Sequence, residues 1–129
     1  MSDEFEIVVL NSDESARVLM KDIYYRMGNP SNNPVEVIEE LMTMFKRECL
    51  LQFIRRFDLT IEYMQISICF LIGGSIVIGL SKESLWSDEL IRGLEKFLDI
   101  TYTGFSEKTR YGGDTVVYEK RFRINNLED

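Results

Sequence analysis

The order of apolar and polar residues changes period several times along this chain. Between Met64 and Phe70 the two kinds alternate, which is the period of a strand with one buried face. The apolar passage is then interrupted by Gly73-Gly74. It therefore predicts a β-hairpin, Leu59–Ile72 against Ile76–Leu80, and not a membrane-spanning helix.

The loop length of this hairpin decides which faces its apolar residues occupy. A two-residue loop would pair Ile72 with Ser75 and scatter the apolar side chains over both faces. A three-residue loop over 73–75 pairs Ile72 with Ile76 and collects them on one face. We therefore expect the second register, with the further pairs Phe70–Ile78 and Ile68–Leu80.

Apolar residues at helical spacing indicate a helix on each side of this hairpin. The first helix has Asn11 or Ser12 as its cap and ends at Gly28. Its apolar stripe consists of Ala16, Leu19, Met20, Ile23 and Met27. The helix after the hairpin has Ser84 or Ser87 as its cap. Its buried stripe consists of Leu90, Leu94, Phe97 and Leu98.

A further helix is predicted between these two, and it has the strongest start signal. Asn33 is expected to cap it, with Pro34 at the first helical position and Glu36 completing the capping box. The pattern fits one helix to about Arg56 or two helices with a break near Arg47. Its apolar arc is wide, so this helix has more apolar surface than a small sheet can cover.

The remaining strand signals complete the predicted fold. Phe5–Leu10 predicts a first strand, while Ile100–Thr103 and Thr115–Ile124 predict a closing pair joined by a long Gly-rich loop. The order β-α-α-β-β-α-β-β predicts an α+β two-layer sandwich, with an antiparallel or mixed sheet of about five strands and three helices. We expect one domain over residues 1–129, with a frayed tail at 125–129.

Composition favours a globular acidic protein. The chain has 129 residues, of which 45% are hydrophobic and 29% are charged, and its net charge is −7. This charge disfavours nonspecific binding to nucleic acid. The chain has one alanine, Ala16, and no histidine, a bias that is typical of AT-rich coding sequences and favours a viral, archaeal or parasite genome.

The usual residues of catalysis are absent or poorly placed. Without histidine the common general base and the triads built on it are missing, and zinc sites are disfavoured. Cys49 and Cys69 are expected to be buried thiols. Gly73-Gly74 precedes a strand and lacks the Lys-Ser/Thr of a phosphate-binding loop. The sequence therefore predicts a non-enzyme that has neither a cofactor nor a bound metal.

One region combines bases with aromatic residues in a predicted exposed loop and the strand after it. Such a mixture suits a partner protein, or the stacking and phosphate contacts of single-stranded nucleic acid. The candidate partner-binding residues are Phe105, Lys108, Arg110, Tyr111, Lys120, Arg121 and Arg123.

The leading functional expectation is a non-enzymatic protein-interaction or regulatory module that binds a protein partner or itself as a homodimer. The first alternative is a viral or mobile-element accessory protein that acts against host defence by binding a host nucleoprotein. The second is single-stranded nucleic-acid binding through 103–123, which the net charge disfavours. We expect a cytoplasmic protein, in the host cytoplasm if viral, that does not enter membranes.

Overall fold

The structure is a computed structural model that describes residues 13–62 and 65–127. Helix α1 spans Asp13–Met27 and is followed by a 3₁₀ turn at Pro30–Asn32. Helix α2 is α-helical over Val35–Met44, π-helical over Phe45–Leu50 and α-helical again over Leu51–Ile54. After strands β1 (Ile66–Leu71) and β2 (Ser75–Leu80) come a 3₁₀ turn at Glu83–Leu85 and helix α3 (Asp88–Leu98). Strands β3 (Ile100–Tyr111) and β4 (Thr115–Ile124) follow.

The four strands form one antiparallel sheet in the order β1-β2-β4-β3. Together with the three helices of the described residues this sheet makes an α+β fold, as the sequence predicted. The sheet of the described residues has four strands where about five were expected. The predicted strand Phe5–Leu10 and the predicted caps Asn11 and Ser12 lie outside the described residues.

The helices pack on one face of the sheet, called here the helix-side face. The sheet residues that join the helices in the core are Ile66, Ile76, Ile78, Leu80, Ile100, Phe122 and Ile124. Val77 and Val117 are buried but do not belong to this core. Alternation along the strands places them on the opposite face, called here the outer face.

The stripes predicted for α1 and α3 are largely confirmed. In α1 the whole predicted stripe is buried except Met27. This residue is 37% exposed because it lies at the end of the helix. All four predicted residues of α3 are buried. Ser87 is the α3 cap, because its hydroxyl accepts a hydrogen bond of 3.1 Å from the Leu90 N–H.

The predicted start of α2 is wrong. The helix begins at Val35, so Pro34 occupies the cap position, and no side chain caps it. The amide of Asn33 instead accepts a hydrogen bond from Arg26 and donates to the Asn29 carbonyl oxygen. These bonds fasten the turn between α1 and α2. The helix is one continuous rod, and its π-helical segment contains Arg47, where a break was one of the expectations.

The hairpin has a three-residue loop, as predicted, but it lies one residue earlier. Leu71 pairs with Ser75, and Ile72 is fully exposed in the loop. Gly73 (φ 101°) and Gly74 (φ 89°) both adopt the left-handed region that favours glycine, which fixes the turn there. The predicted pairs are therefore wrong by two residues, and an even slip keeps every side chain on its predicted face. The observed pairs are Ile66–Leu80, Ile68–Ile78 and Phe70–Ile76.

Strand β1 is shorter than predicted, and strand β3 is longer. The first strand was expected from Leu59, but the strand begins at Ile66 and Leu59 is 82% exposed in a turn. The predicted Gly-rich loop is mostly strand, since β3 continues to Tyr111. A bulge between Tyr102 and Ser106 accommodates Gly104 (φ 90°), after which regular pairing resumes.

The hydrophobic middle of the chain is thus a hairpin and not a membrane span. Among the described residues no helix combines the length and the apolar character needed to cross a bilayer.

Candidate interaction surfaces

The structure divides the predicted partner-binding residues between the two faces of the sheet. All of them lie on the β3–β4 hairpin. Lys120 is two residues from the core residue Phe122 on β4, so the pair Ser106–Lys120 lies on the same helix-side face as the pair Tyr102–Phe122. Lys108, Arg110 and Lys120 therefore share the helix-side face, and Phe105, Tyr111, Arg121 and Arg123 share the outer face. They do not form one surface.

On the helix-side face Lys120 already has partners within the chain. Its ammonium donates hydrogen bonds of 3.2 Å to the Tyr102 hydroxyl and to Ser106 Oγ. It also lies 5.1 Å from the Tyr102 ring centroid and 5.8 Å from that of Trp86. Lys108 similarly lies over the Tyr118 ring, at 5.9 Å. These two lysines stabilise the β3–β4 hairpin through contacts within the chain. Arg110 lies beyond them, towards the hairpin turn, and is exposed.

On the outer face the guanidinium carbon of Arg121 lies over the Phe105 ring, 4.7 Å from its centroid. Its Nε is buried and has no hydrogen-bond partner. Arg123, two residues further along β4, is exposed. On the same face of β4, by contrast, Glu119 is only 9% exposed.

Glu119 is held by two hydroxyl groups of β3. Tyr111 donates a hydrogen bond of 2.5 Å to its carboxylate, and Thr109 donates one of 2.8 Å. The bond to Glu119, and then partial burial, raise the pKa of the Tyr111 phenol to about 12. The carboxylate is therefore directed towards β3 and not towards the guanidinium of Arg121.

The middle of the outer face is closely packed around Gly79 on β2. A Cβ atom at this position would lie 2.3 Å from Ser67 Oγ and 3.1 Å from Glu119 Cγ. It would also lie 3.3 Å from the Cβ of Val117. Only glycine fits there without displacing its neighbours. This packing explains why Val117 is buried on a face that carries none of the described helices.

The two edges of the sheet differ in how they are protected. On β3 the Tyr102 N–H donates a hydrogen bond of 2.8 Å to the Glu95 carboxylate of α3. The bulge and the exposed charges of Glu107, Lys108 and Arg110 follow along the same edge. Charges and bulges are the usual means of preventing strand addition. Strand β1 has neither: its sequence is Ile-Ser-Ile-Cys-Phe-Leu and its pairing with β2 is regular.

The direction of the β1 backbone groups follows from one hydrogen bond. Ile124 donates its N–H to the Gly74 carbonyl oxygen at 2.7 Å, so the even-numbered residues of β4 face β2. The even-numbered residues of β2 therefore bond to β4, and its odd-numbered residues bond to the odd-numbered residues of β1. The even-numbered residues of β1 direct their N–H and C=O groups to the other side, which is the edge of the sheet, where no described strand pairs with them. These are Ile66, Ile68 and Phe70.

An apolar pocket of about 510 Å³ lies at one end of this edge. Phe70, Leu71 and Ile72 line it from the hairpin, and Tyr24 and Met27 line it from the end of α1. The half-buried side chains of β1 and this pocket form a continuous apolar margin.

Helix α2 exposes a second apolar surface. None of the residues of Val35–Met44 is buried, whereas α1 and α3 each bury four. Val35 is 65% exposed, and Val37 and Ile38 are half-buried without packing against the core. This is the excess apolar surface that the wide arc of the helix predicted.

The two cysteines differ in exposure, and Cys49 offers little nucleophilic chemistry. Cys49 is buried, and its burial followed by the charge of Glu48 raises the pKa of its thiol to about 12. Cys69 was expected to be buried but is exposed on the outer face of β1, because its neighbours Ile68 and Phe70 take the helix-side face and pack against the core. The two are not joined by a disulfide. Among the described residues no group of acids or cysteines is arranged to hold a metal ion.

Comparison with protein-family models, with curated proteins and with solved structures gives no match for this chain. Function must therefore be argued from geometry. Sequence reasoning singled out the β3–β4 hairpin and missed the β1 edge, although the absence of charge and proline in Ile66–Leu71 was a signal for it.

Proposed function

We propose that this protein is an interaction module that self-associates through its β1 edge. The observation that carries the proposal is the contrast between the two edges of the sheet. A carboxylate, a bulge and charged side chains protect β3, whereas within the described part of the chain no such feature protects the apolar strand β1. An unprotected edge of this kind is suited to pairing with another strand through backbone hydrogen bonds.

A second copy of the chain is the partner that fits this edge best. A two-fold axis beside Cys69 pairs β1 with itself in antiparallel orientation, so that Cys69 faces its own copy and Ile68 faces Phe70 of the second copy. Only even-numbered residues direct backbone groups outwards, and this register pairs them with each other. Apolar residues then meet apolar residues on the helix-side face.

This register also covers the side chains that remain exposed. The Ile66 side chain is only 3% exposed, so a two-fold axis placed nearer to it would bury little additional apolar surface. Ile68, Phe70 and Leu71 are half-buried, and Cys69 is exposed. The resulting sheet would have eight strands and would present both outer faces on one side.

The experiment is the mass of the particle in solution. Light scattering after size exclusion should give twice the chain mass of 15.1 kDa. Cys69→Lys brings two ammonium groups together at the axis, so this variant should be monomeric. Thr115→Lys adds the same charge at an exposed position of β4, away from the β1 edge, and should remain dimeric. A monomeric native protein at high concentration, or equal masses for the two variants, contradicts the proposal.

The antidefence and nucleic-acid roles stay predictions of the sequence. The residues on which the nucleic-acid hypothesis depends lie on two faces, and Lys120 is already bonded within the chain.

A further inference from the structure

We infer that Arg121 and Arg123 form a binding site for a phosphate monoester on the outer face of the sheet. The two arginines are two positions apart on β4, so their side chains leave the same face about 7 Å apart. The site lies away from the β1 edge, and it does not depend on self-association.

The positive charge of this pair is not neutralised within the described residues. The ion pairs found there join Arg26 to Asp22 and Lys82 to Asp58. Two carboxylates share this face, those of Glu119 and Glu107, and neither forms an ion pair with these arginines. The carboxylate of Glu119 is engaged by Tyr111 and Thr109. Two adjacent unpaired arginines are notable in a chain whose net charge is −7.

Arg121 is held in place before any ligand arrives. Its guanidinium lies over the Phe105 ring, and its backbone carbonyl oxygen accepts a hydrogen bond of 2.9 Å from Thr103 Oγ1. Its buried Nε–H lacks an acceptor, and such groups are rare in folded proteins because an unmade hydrogen bond is unfavourable. Because this nitrogen is enclosed by the protein, an oxyanion approaches the terminal Nη groups of the guanidinium, and the side chain held over Phe105 loses little conformational entropy on binding.

The charge and shape of the pair favour a phosphate monoester over other oxyanions. A monoester carries nearly two negative charges above its second pKa of about 6, which matches two guanidinium groups. A single carboxylate would leave one arginine unpaired. A nucleic-acid strand would bring many charges towards an acidic protein and is disfavoured by long-range repulsion.

The test is an NMR titration that follows the arginine Nε–Hε signals above pH 7 at constant ionic strength. Inorganic phosphate should shift the Arg121 signal saturably, and acetate should not. Phosphoserine and adenosine monophosphate distinguish a protein source from a nucleotide source of the monoester, and tighter binding of either supports the site.

Variants decide whether the two arginines bind the ligand. Arg121→Gln and Arg123→Gln should each weaken phosphate binding about tenfold, the usual effect of removing one charge-assisted hydrogen bond. Arg123 is exposed, so its variant keeps the test valid even if Arg121→Gln disturbs the fold. Arg110→Gln removes an exposed arginine from the helix-side face and should change nothing. The proposal is overturned if Arg110→Gln weakens binding equally, if acetate shifts the Arg121 signal as phosphate does, or if phosphate produces no saturable shift.

Discussion

The backbone N–H of Tyr102 donates a hydrogen bond of 2.8 Å to the carboxylate of Glu95. This bond joins helix α3 to the outer edge of β3, and it occupies a donor that would otherwise be open to another strand. Among the described strands the sheet therefore has one blocked edge and one open edge, and the proposed self-association uses the open one.

Removing the Glu95 carboxylate should weaken this protection. Glu95→Ala leaves the Tyr102 N–H without its acceptor, and we expect the free energy of unfolding to fall by about 1 kcal/mol. Glu95→Gln retains an acceptor oxygen and should lose less. Chemical denaturation of both variants measures the difference. Equal stability of Glu95→Ala and the native protein would show that the bond does not hold α3 to this edge of the sheet.

Cys69 should form a disulfide with its own copy under mild oxidation. In the proposed pairing the two Cys69 residues face each other across the axis, at a Cα separation of about 4.5 Å, which a disulfide can span. Non-reducing electrophoresis should show a covalent dimer. Cys69→Ser should abolish it, and Cys49→Ser should not, because the Cys49 thiol is buried and has a pKa of about 12. A covalent dimer that requires Cys49 would contradict the arrangement.

The hairpin register can be tested by comparing Ile72 with Ile76. Ile72 is fully exposed in the loop, so Ile72→Ala should change the free energy of unfolding by less than about 0.5 kcal/mol. Ile76 is fully buried, and Ile76→Ala should destabilise the protein by roughly 2–5 kcal/mol. Thermal or chemical unfolding provides the measurement. A large loss at Ile72 would support the register that pairs these two residues.

The bond between Tyr111 and Glu119 predicts a pH dependence in the alkaline range. The folded pKa of Tyr111 is about 12 against an ordinary value of 10, so the folded protein keeps a proton that the unfolded chain loses. The stability from this bond is present below pH 10 and declines as the pH rises towards 12.

Absorbance titration of the phenolate should detect one tyrosine that ionises late. Tyr111→Phe should remove this late step and flatten the alkaline loss of stability. Glu119→Gln should lower the pKa of Tyr111, since it removes the charged acceptor. An unchanged titration curve in Tyr111→Phe would disprove the assignment.

Local patterns in the sequence predicted much of the fold because local physics determines those features. The stripe of α3, the cap at Ser87 and the turn at Gly73-Gly74 each depend on neighbouring residues. The cap at Asn33 was wrong because its amide bonds to α1 instead, a contact that spacing does not reveal. The 104–111 segment was predicted as a loop because its glycines indicate a break in the strand. In the structure a bulge accommodates Gly104 and the strand continues, and the bulge depends on the partner strand.

The candidate surfaces were predictable only in part. The bases and aromatic residues of the β3–β4 hairpin were recognised from composition. Their division between two faces depends on the pairing of Ser106 with Lys120 across the bulge. The importance of β1 depends on strand order, because only the sheet as a whole shows which strand is at an edge.

Amide hydrogen exchange of β1 at two protein concentrations tests the central claim most directly. The N–H groups of Ile68 and Phe70 point out of the edge, so they should be protected at high concentration and exchange rapidly on dilution below the dissociation constant. The amide of Lys108, on the edge of β3, should exchange at the same rate at both concentrations. Rapid exchange of Ile68 and Phe70 at every concentration would contradict self-association through this strand.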